Sequence, residues 1–139
     1  MSNRQEHLEL GVIAGGTVGF IRALLRGGDL TECLGGAVGG ALGGAAGALA
    51  PDLLEPPTTP RHRGPMHSLA LVGGSAMAVP SAEAAWSRFW EEKKANADDA
   101  TRALLAVLEG LGPGAVAGYA SHLALDSGTP AGLPLLGVR

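Results

Sequence analysis

The sequence predicts an all-α protein, a compact bundle of about four to five helices with a Pro-rich loop between two of them. Four apolar stretches alternate with short polar punctuation, and no sustained period-2 run of β-branched residues interrupts them. Helix stop and start signals also fall where the apolar stretches change. A chain of 139 residues is sized for one domain around a single core, so residues 1–139 are read as one helical unit.

The first apolar stretch runs from about Leu8 to Leu25 and closes on Arg26, Gly27 and Gly28, a basic last turn followed by glycine. The second opens at Asp29 and Thr31, with Glu32 close behind, and continues through Ala50, where Pro51 is its expected stop. As a helix, the uncharged run from Cys33 to Ala50 would extend about 27 Å, close to the roughly 30 Å of bilayer hydrocarbon. Within it Gly35, Gly39, Gly43 and Gly47 repeat every fourth residue, with Gly36, Gly40 and Gly44 beside them. Each glycine costs about 1 kcal/mol of helix propensity relative to alanine, so close packing of a neighbouring helix must compensate.

Five prolines between Pro51 and Pro65 predict a loop over 52–65. A third apolar stretch, Met66 to Val79, is expected to stop before Pro80. Ser81 and Glu83 then open a more polar helix, Ala84 to about Leu108, with Trp86, Phe89 and Trp90 at helical spacing as packing groups or an interfacial aromatic belt. Gly110, Gly112, Pro113 and Gly114 are read as an interruption, and the last helix as Ala115 to Leu125.

Composition removes several function classes. Ten basic against 13 acidic residues give a net charge of −3, and the bases are scattered, which argues against nucleic-acid binding. A charged fraction of 17% with a mean hydropathy of +0.22 excludes an acidic disordered chain. The lone Cys33, between apolar neighbours, reads as a small buried residue and cannot form an internal disulfide. The N-terminus lacks the pattern of a cleaved export signal.

Chemistry concentrates in a few polar places. His62 and His67 bracket the end of the Pro-rich loop, His122 and Asp126 share one helix face at i, i+4, and Asp52 follows the glycine-rich helix. Histidine nitrogen and carboxylate oxygen without thiolates suit Zn²⁺ first, with Mn²⁺ or Fe²⁺ as alternatives, and a metal-acidified water leads to hydrolysis. The same residues also admit plainer roles: a local His–Asp pair, a solvated loop histidine, an Asx turn at Asp52. His7 is either a further nitrogen ligand or a terminal residue, and Glu55 either a general base or ligand or an exposed turn carboxylate. Arg61 and Arg63 could clamp an anionic substrate, and Ser68 and Ser121 could support the ligands.

At these clusters the sequence resembles the YdjM-like family, described as inner-membrane-associated, metal-dependent hydrolases. The matching pieces are Leu-Ala-Pro-Asp ending at Asp52, His-Arg-Gly-Pro-Met-His-Ser from His62 to Ser68, and Gly-Tyr-Ala-Ser-His-Leu-Ala-Leu-Asp from Gly118 to Asp126. Thr-Pro-Ala-Gly-Leu-Pro-Leu-Leu from Thr129 to Leu136 continues the match. The resemblance implies a compact helical protein at the membrane, with metal held by Asp52, His62, His67, His122 and Asp126, and His7 matching the histidine near the family's start. Two positions depart from the pattern: Leu54 stands where relatives often carry a second acid, leaving Glu55 as the substitute, and Met66 stands where threonine is usual.

The leading expectation is a metal-dependent hydrolase of a phosphoester or lipid-linked substrate, located in or on the inner membrane. The alternative is a non-catalytic membrane or adaptor protein with a structural metal site, whose glycine rows mediate homo-oligomerisation. A soluble cytoplasmic bundle is the alternative to membrane association.

Overall fold

The computed structural model describes residues 4–55, 64–128 and 133. The chain runs through α1 (Arg4–Leu25), α2 (Leu30–Leu54), a 3₁₀ turn (Pro65–His67), α3 (Leu69–Lys94) and α4 (Asp99–Ser127), with no strand among the described residues. This is the expected all-α bundle, and its first two helix boundaries follow local chemistry. Gly27 takes a φ of 75°, and the Gly27 and Gly28 amides return to the Leu24 and Ala23 carbonyls, each at 3.0 Å, which closes α1 in a Schellman turn. Asp29 caps α2 by accepting from the Glu32 amide at 2.8 Å while Glu32 reaches back to the Asp29 amide, a complete capping box.

Three expected breaks do not occur. Pro51 lies inside α2, Pro80 inside α3, and Gly110 to Gly114 with Pro113 inside α4. The helix expected over Ala84–Leu108 is instead divided between α3 and α4, because Asp98 caps a new helix by accepting from the Thr101 amide at 2.8 Å. Tertiary packing explains one tolerated proline directly. Pro113 has no N–H for the Glu109 carbonyl one turn earlier, and the Trp86 indole of α3 donates to that oxygen at 2.8 Å.

α1, α2 and α4 form the heart of the molecule, and both glycine rows of α2 are used within the chain. Gly36, Gly40 and Gly44 face Gly19, Gly15 and Gly11 of α1, and Gly35, Gly39, Gly43 and Gly47 face α4 between Ala103 and Ala115. A Cβ built at Gly39 would overlap the Val107 carbonyl oxygen, and one at Gly40 the Gly15 carbonyl, so the helices meet backbone to backbone. Neither row is left for a second copy, which corrects the expected oligomerisation through this helix.

The interior therefore contains few large apolar side chains: among the described residues Cys33, Ala48, Ala106 and Leu123 are the buried hydrophobic ones. The aliphatic bulk points outward, with Ile13, Leu24, Val38, Leu42 and Leu104 all more than half exposed. In water that distribution would leave the hydrophobic effect without a core to act on. In lipid, where exposed leucine costs nothing and association rests on dispersion and interhelical polar contacts, it is the stable arrangement. α1, α2 and α4 are each long and apolar enough to cross a bilayer. α3 packs on α4 and runs the length of the bundle, from the 3₁₀ turn beside α2 to Lys94, which donates to Glu32 in the first turn of α2.

Candidate metal centre

Each inward helix row ends in a polar residue at the same end of the bundle. On α1 the row reads His7, Gly11, Gly15, Gly19; on α2 Gly36, Gly40, Gly44, Ala48, Asp52; on α4 Gly110, Gly114, Gly118, His122, Asp126. Residues four apart stay on one helix face, so continuing each small-residue row by one or two steps delivers the first large side chains onto the bundle axis. Running α2 through Pro51 is what puts Asp52 there, on a helix rather than in the expected loop. His67 arrives from the 3₁₀ turn, which Tyr119 ties to α4 by donating to the Met66 carbonyl at 2.6 Å.

Four atoms converge. His67 Nε2 lies 3.2 Å from His122 Nε2, 3.7 Å from Asp52 Oδ1 and 3.6 Å from Asp126 Oδ2. His122 Nε2 lies 3.8 Å from Asp52 Oδ1 and 3.6 Å from Asp126 Oδ2. Zn–N and Zn–O bonds of about 2.0–2.2 Å place neighbouring ligand atoms of a tetrahedral site roughly 3.3–3.6 Å apart, the range these five separations bracket; two sets of three residues, His67 with His122 and Asp126, and His7 with Asp52 and His122, each bring their ligand atoms within 4.8 Å of one another. His7 joins the group by stacking on His122 with ring centroids 3.9 Å apart and by placing Nε2 3.6 Å from Asp126 Oδ1.

The opposite ring nitrogens fix the protonation of the site. His122 Nδ1 sits 2.6 Å from the Ala48 carbonyl, and His67 Nδ1 2.9 Å from Glu55 Oε2, so each Nδ1 must carry a proton to donate. In the neutral imidazoles both Nε2 atoms are then lone pairs, facing each other and two carboxylates in a place where the histidines are fully buried. Two imidazole nitrogens and two carboxylates gathered in this buried place form a donor set of the kind that suits a divalent cation.

Glu55 stands behind this set rather than in it. Its carboxylate accepts from the Gly64 amide at 2.9 Å, the Met66 amide at 2.8 Å and His67. Burial pushes its carboxyl up, but the Met66 amide, His67 and the Gly64 amide outweigh that and hold it below the usual carboxylate range. Ser68 and Ser121 do not touch the ligands: Ser68 caps α3 and donates to the Pro65 carbonyl, and Ser121 donates to the Gly118 carbonyl. Arg61, His62 and Arg63, named as candidate clamp and ligand, lie outside the described residues.

A second polar cluster lies at the other end, where Glu109, only 6% exposed, receives Arg22 at 3.2 Å, Arg26 at 2.8 Å and Lys94 at 2.8 Å. Glu83 also pairs with Arg22, and Ser87 hydrogen-bonds both arginines. Sequence reasoning passed over this network because its members are spread over three helices with no local motif.

A lipid-facing aliphatic shell, a glycine interior and a buried His/Asp constellation at one end define a class: a small helical membrane protein with a candidate metal centre. The chain belongs to the family described as YdjM inner membrane protein, whose model matches residues 1–137, and it is an inner membrane protein. No curated protein and no solved structure matches it.

Proposed function

We propose that this chain is a metal-dependent hydrolase acting at the membrane surface on a phosphoester, free or lipid-linked. The observation that supports the reading most is the convergence of His67 Nε2 and His122 Nε2 with Asp52 Oδ1 and Asp126 Oδ2, each imidazole held from behind through its Nδ1. In this reading those four residues hold one divalent cation, Zn²⁺ first by the donor set and Mn²⁺ or Fe²⁺ as alternatives, and His7 orients Asp126. When bound, such a cation lowers the pKa of a coordinated water towards neutrality and offsets negative charge on the substrate. Glu55 and the Ala48 carbonyl keep the two rings aimed while this happens.

Access favours the Asp52 side. The Asp52 side chain is 25% exposed whereas that of Asp126 is 5%, so water and substrate approach past Asp52. The ligands also lie within about a turn of the helix ends, at the depth where a lipid headgroup phosphate would meet them. Arg61 and Arg63 are assigned the role of anion clamp on sequence grounds. Elemental analysis of protein purified in detergent, joined to hydrolysis of a chromogenic phosphodiester, tests the reading. The expected result is about one transition-metal ion per chain and turnover, both lost in His122→Ala. Metal-free protein after purification without chelator, or metal and turnover that survive His122→Ala, would overturn it.

A further inference from the structure

The side chains gathered at the candidate metal centre are anchored to unequal degrees. Asp52, His122 and Asp126 ride on α2 and α4, whose relative height is fixed by backbone contact along the row from Gly35 to Gly47. His67 instead ends a three-residue 3₁₀ turn, closed by His67 N–H to the Gly64 carbonyl at 3.0 Å and Ser68 N–H to the Pro65 carbonyl at 3.1 Å. Turns of this kind stay short because their hydrogen bonds are poorly aligned. The start of α3 gives it little to lean on: Ala70, Leu71, Gly73, Gly74 and Met77 are exposed, and a Cβ at either glycine would meet nothing within 4 Å.

His67 is nonetheless fully buried, with its Nε2 3.2 Å from that of His122. Two side chains grip the turn from opposite sides of one residue: Glu55 accepts from the Met66 amide at 2.8 Å, and the Tyr119 hydroxyl donates to the Met66 carbonyl at 2.6 Å. The two anchors differ in stiffness. Glu55 is the C-cap of α2, at a helix end where fraying begins, whereas Tyr119 lies well inside α4, which continues to Ser127. Tyr119 also stands three residues before His122, so both project from one side of α4. One helix therefore carries the ring of His122 and the hydroxyl that holds the turn of His67, and the spacing of the two imidazoles is set from α4. Phenylalanine would serve packing at this position equally well; the hydroxyl is what reaches the turn.

We infer, resting on the metal-dependent reading above, that Tyr119 is a positioning residue: acting through the Met66 carbonyl, its hydroxyl sets the reach of His67 toward the cation and so the affinity of the site. Asp52, His122 and Asp126 keep their places without it, because none of them depends on the turn. Tyr119→Phe removes the hydroxyl and keeps the ring. Ser121→Ala, which removes a hydroxyl that donates within α4, is the control.

Two measurements on protein purified in detergent separate the tether from the metal. In the first, chelator-stripped protein is treated with diethylpyrocarbonate and digested with trypsin. Cleavage after lysine and arginine leaves His67 as the one histidine of the peptide 64–88 and His122 as the one histidine of 103–139, so each imidazole is read separately. In Tyr119→Phe the modification of His67 should rise about fivefold, the change in population that one net hydrogen bond supports, while that of His122 stays within about twofold of the parent. Ser121→Ala should move neither. In the second, cobalt(II) is titrated against a competing chelator. Its affinity should fall about five- to tenfold in Tyr119→Phe, with a change in the visible cobalt bands that report ligand geometry, and both should match the parent in Ser121→Ala. Unchanged modification of His67, a rise shared equally by His122, or parent-like cobalt affinity in Tyr119→Phe would each overturn the assignment. A parent chain that binds no cobalt overturns the metal-dependent reading, and the ratio of His67 to His122 modification then decides the role of Tyr119 by itself.

Discussion

Replacing Gly39 by alanine probes the backbone contact between α2 and α4. The new Cβ would overlap the Val107 carbonyl oxygen and crowd Val107 Cα at 3.0 Å, and neither obstacle is a side chain that can rotate away. Restoring ordinary contact means separating the two helices by about 1–2 Å, and a gap of even 0.5–1 Å forfeits a quarter to a half of each dispersion contact across it. The cost sits at the upper end of overpacking, about 3 kcal/mol, against about 1 kcal/mol gained in helix propensity, a net loss of about 2 kcal/mol. Gly73→Ala on α3 is the matched control: a Cβ there meets nothing within 4 Å, so the propensity gain of about 1 kcal/mol stands alone. Reversible unfolding in mixed micelles should place the two variants on opposite sides of the parent. Gly39→Ala unfolding at or above the parent's midpoint would refute the close-packing argument. The same displacement moves Asp52 away from His122 and Asp126, so metal content should fall with stability in this variant and in no α3 variant.

Two further outcomes follow from the polar clusters. Glu55→Gln leaves the four converging atoms in place but removes the carboxylate behind His67, and should weaken metal affinity about 10–100-fold while leaving the helical circular dichroism unchanged; unaltered affinity in a competitive chelator titration would remove Glu55 from the site. Burial opposes the charge on Lys94, but Glu109 and Glu32 outweigh it and raise its pKa above the ordinary 10.5. Its stabilising contribution is therefore complete below pH 10.5 and is lost as pH climbs through the raised value, so Lys94→Gln should flatten the alkaline limb of the stability curve; an alkaline limb identical in the two proteins would contradict this.

The local code was written plainly in some places and silently in others. Asp29 with Glu32, and Gly27 with Gly28, are contiguous signals whose partners lie within a turn, and both act as their chemistry dictates. Pro51, Pro80 and Pro113 read as stops because propensity counts only the missing N–H and the steric clash. The Trp86 indole that serves the Glu109 carbonyl comes from another helix, and nothing near Pro113 announces it. The i, i+4 continuation from the glycine rows to His7, Asp52, His122 and Asp126 was available in the spacing, and only the α2 rows were recognised as such.

Residue order alone settled the helical class, the membrane-compatible length of the glycine-rich segment and the family motifs, because these depend on side chains a few positions apart. Which glycine row meets which helix, that α2 continues to deliver Asp52, and that Glu55 backs His67 instead of joining the ligands were decided by folding. The reason is geometric: close backbone approach between α1, α2 and α4 fixes the relative heights of the three helices, and those heights bring separately placed imidazoles and carboxylates within 3.2–3.8 Å of one another.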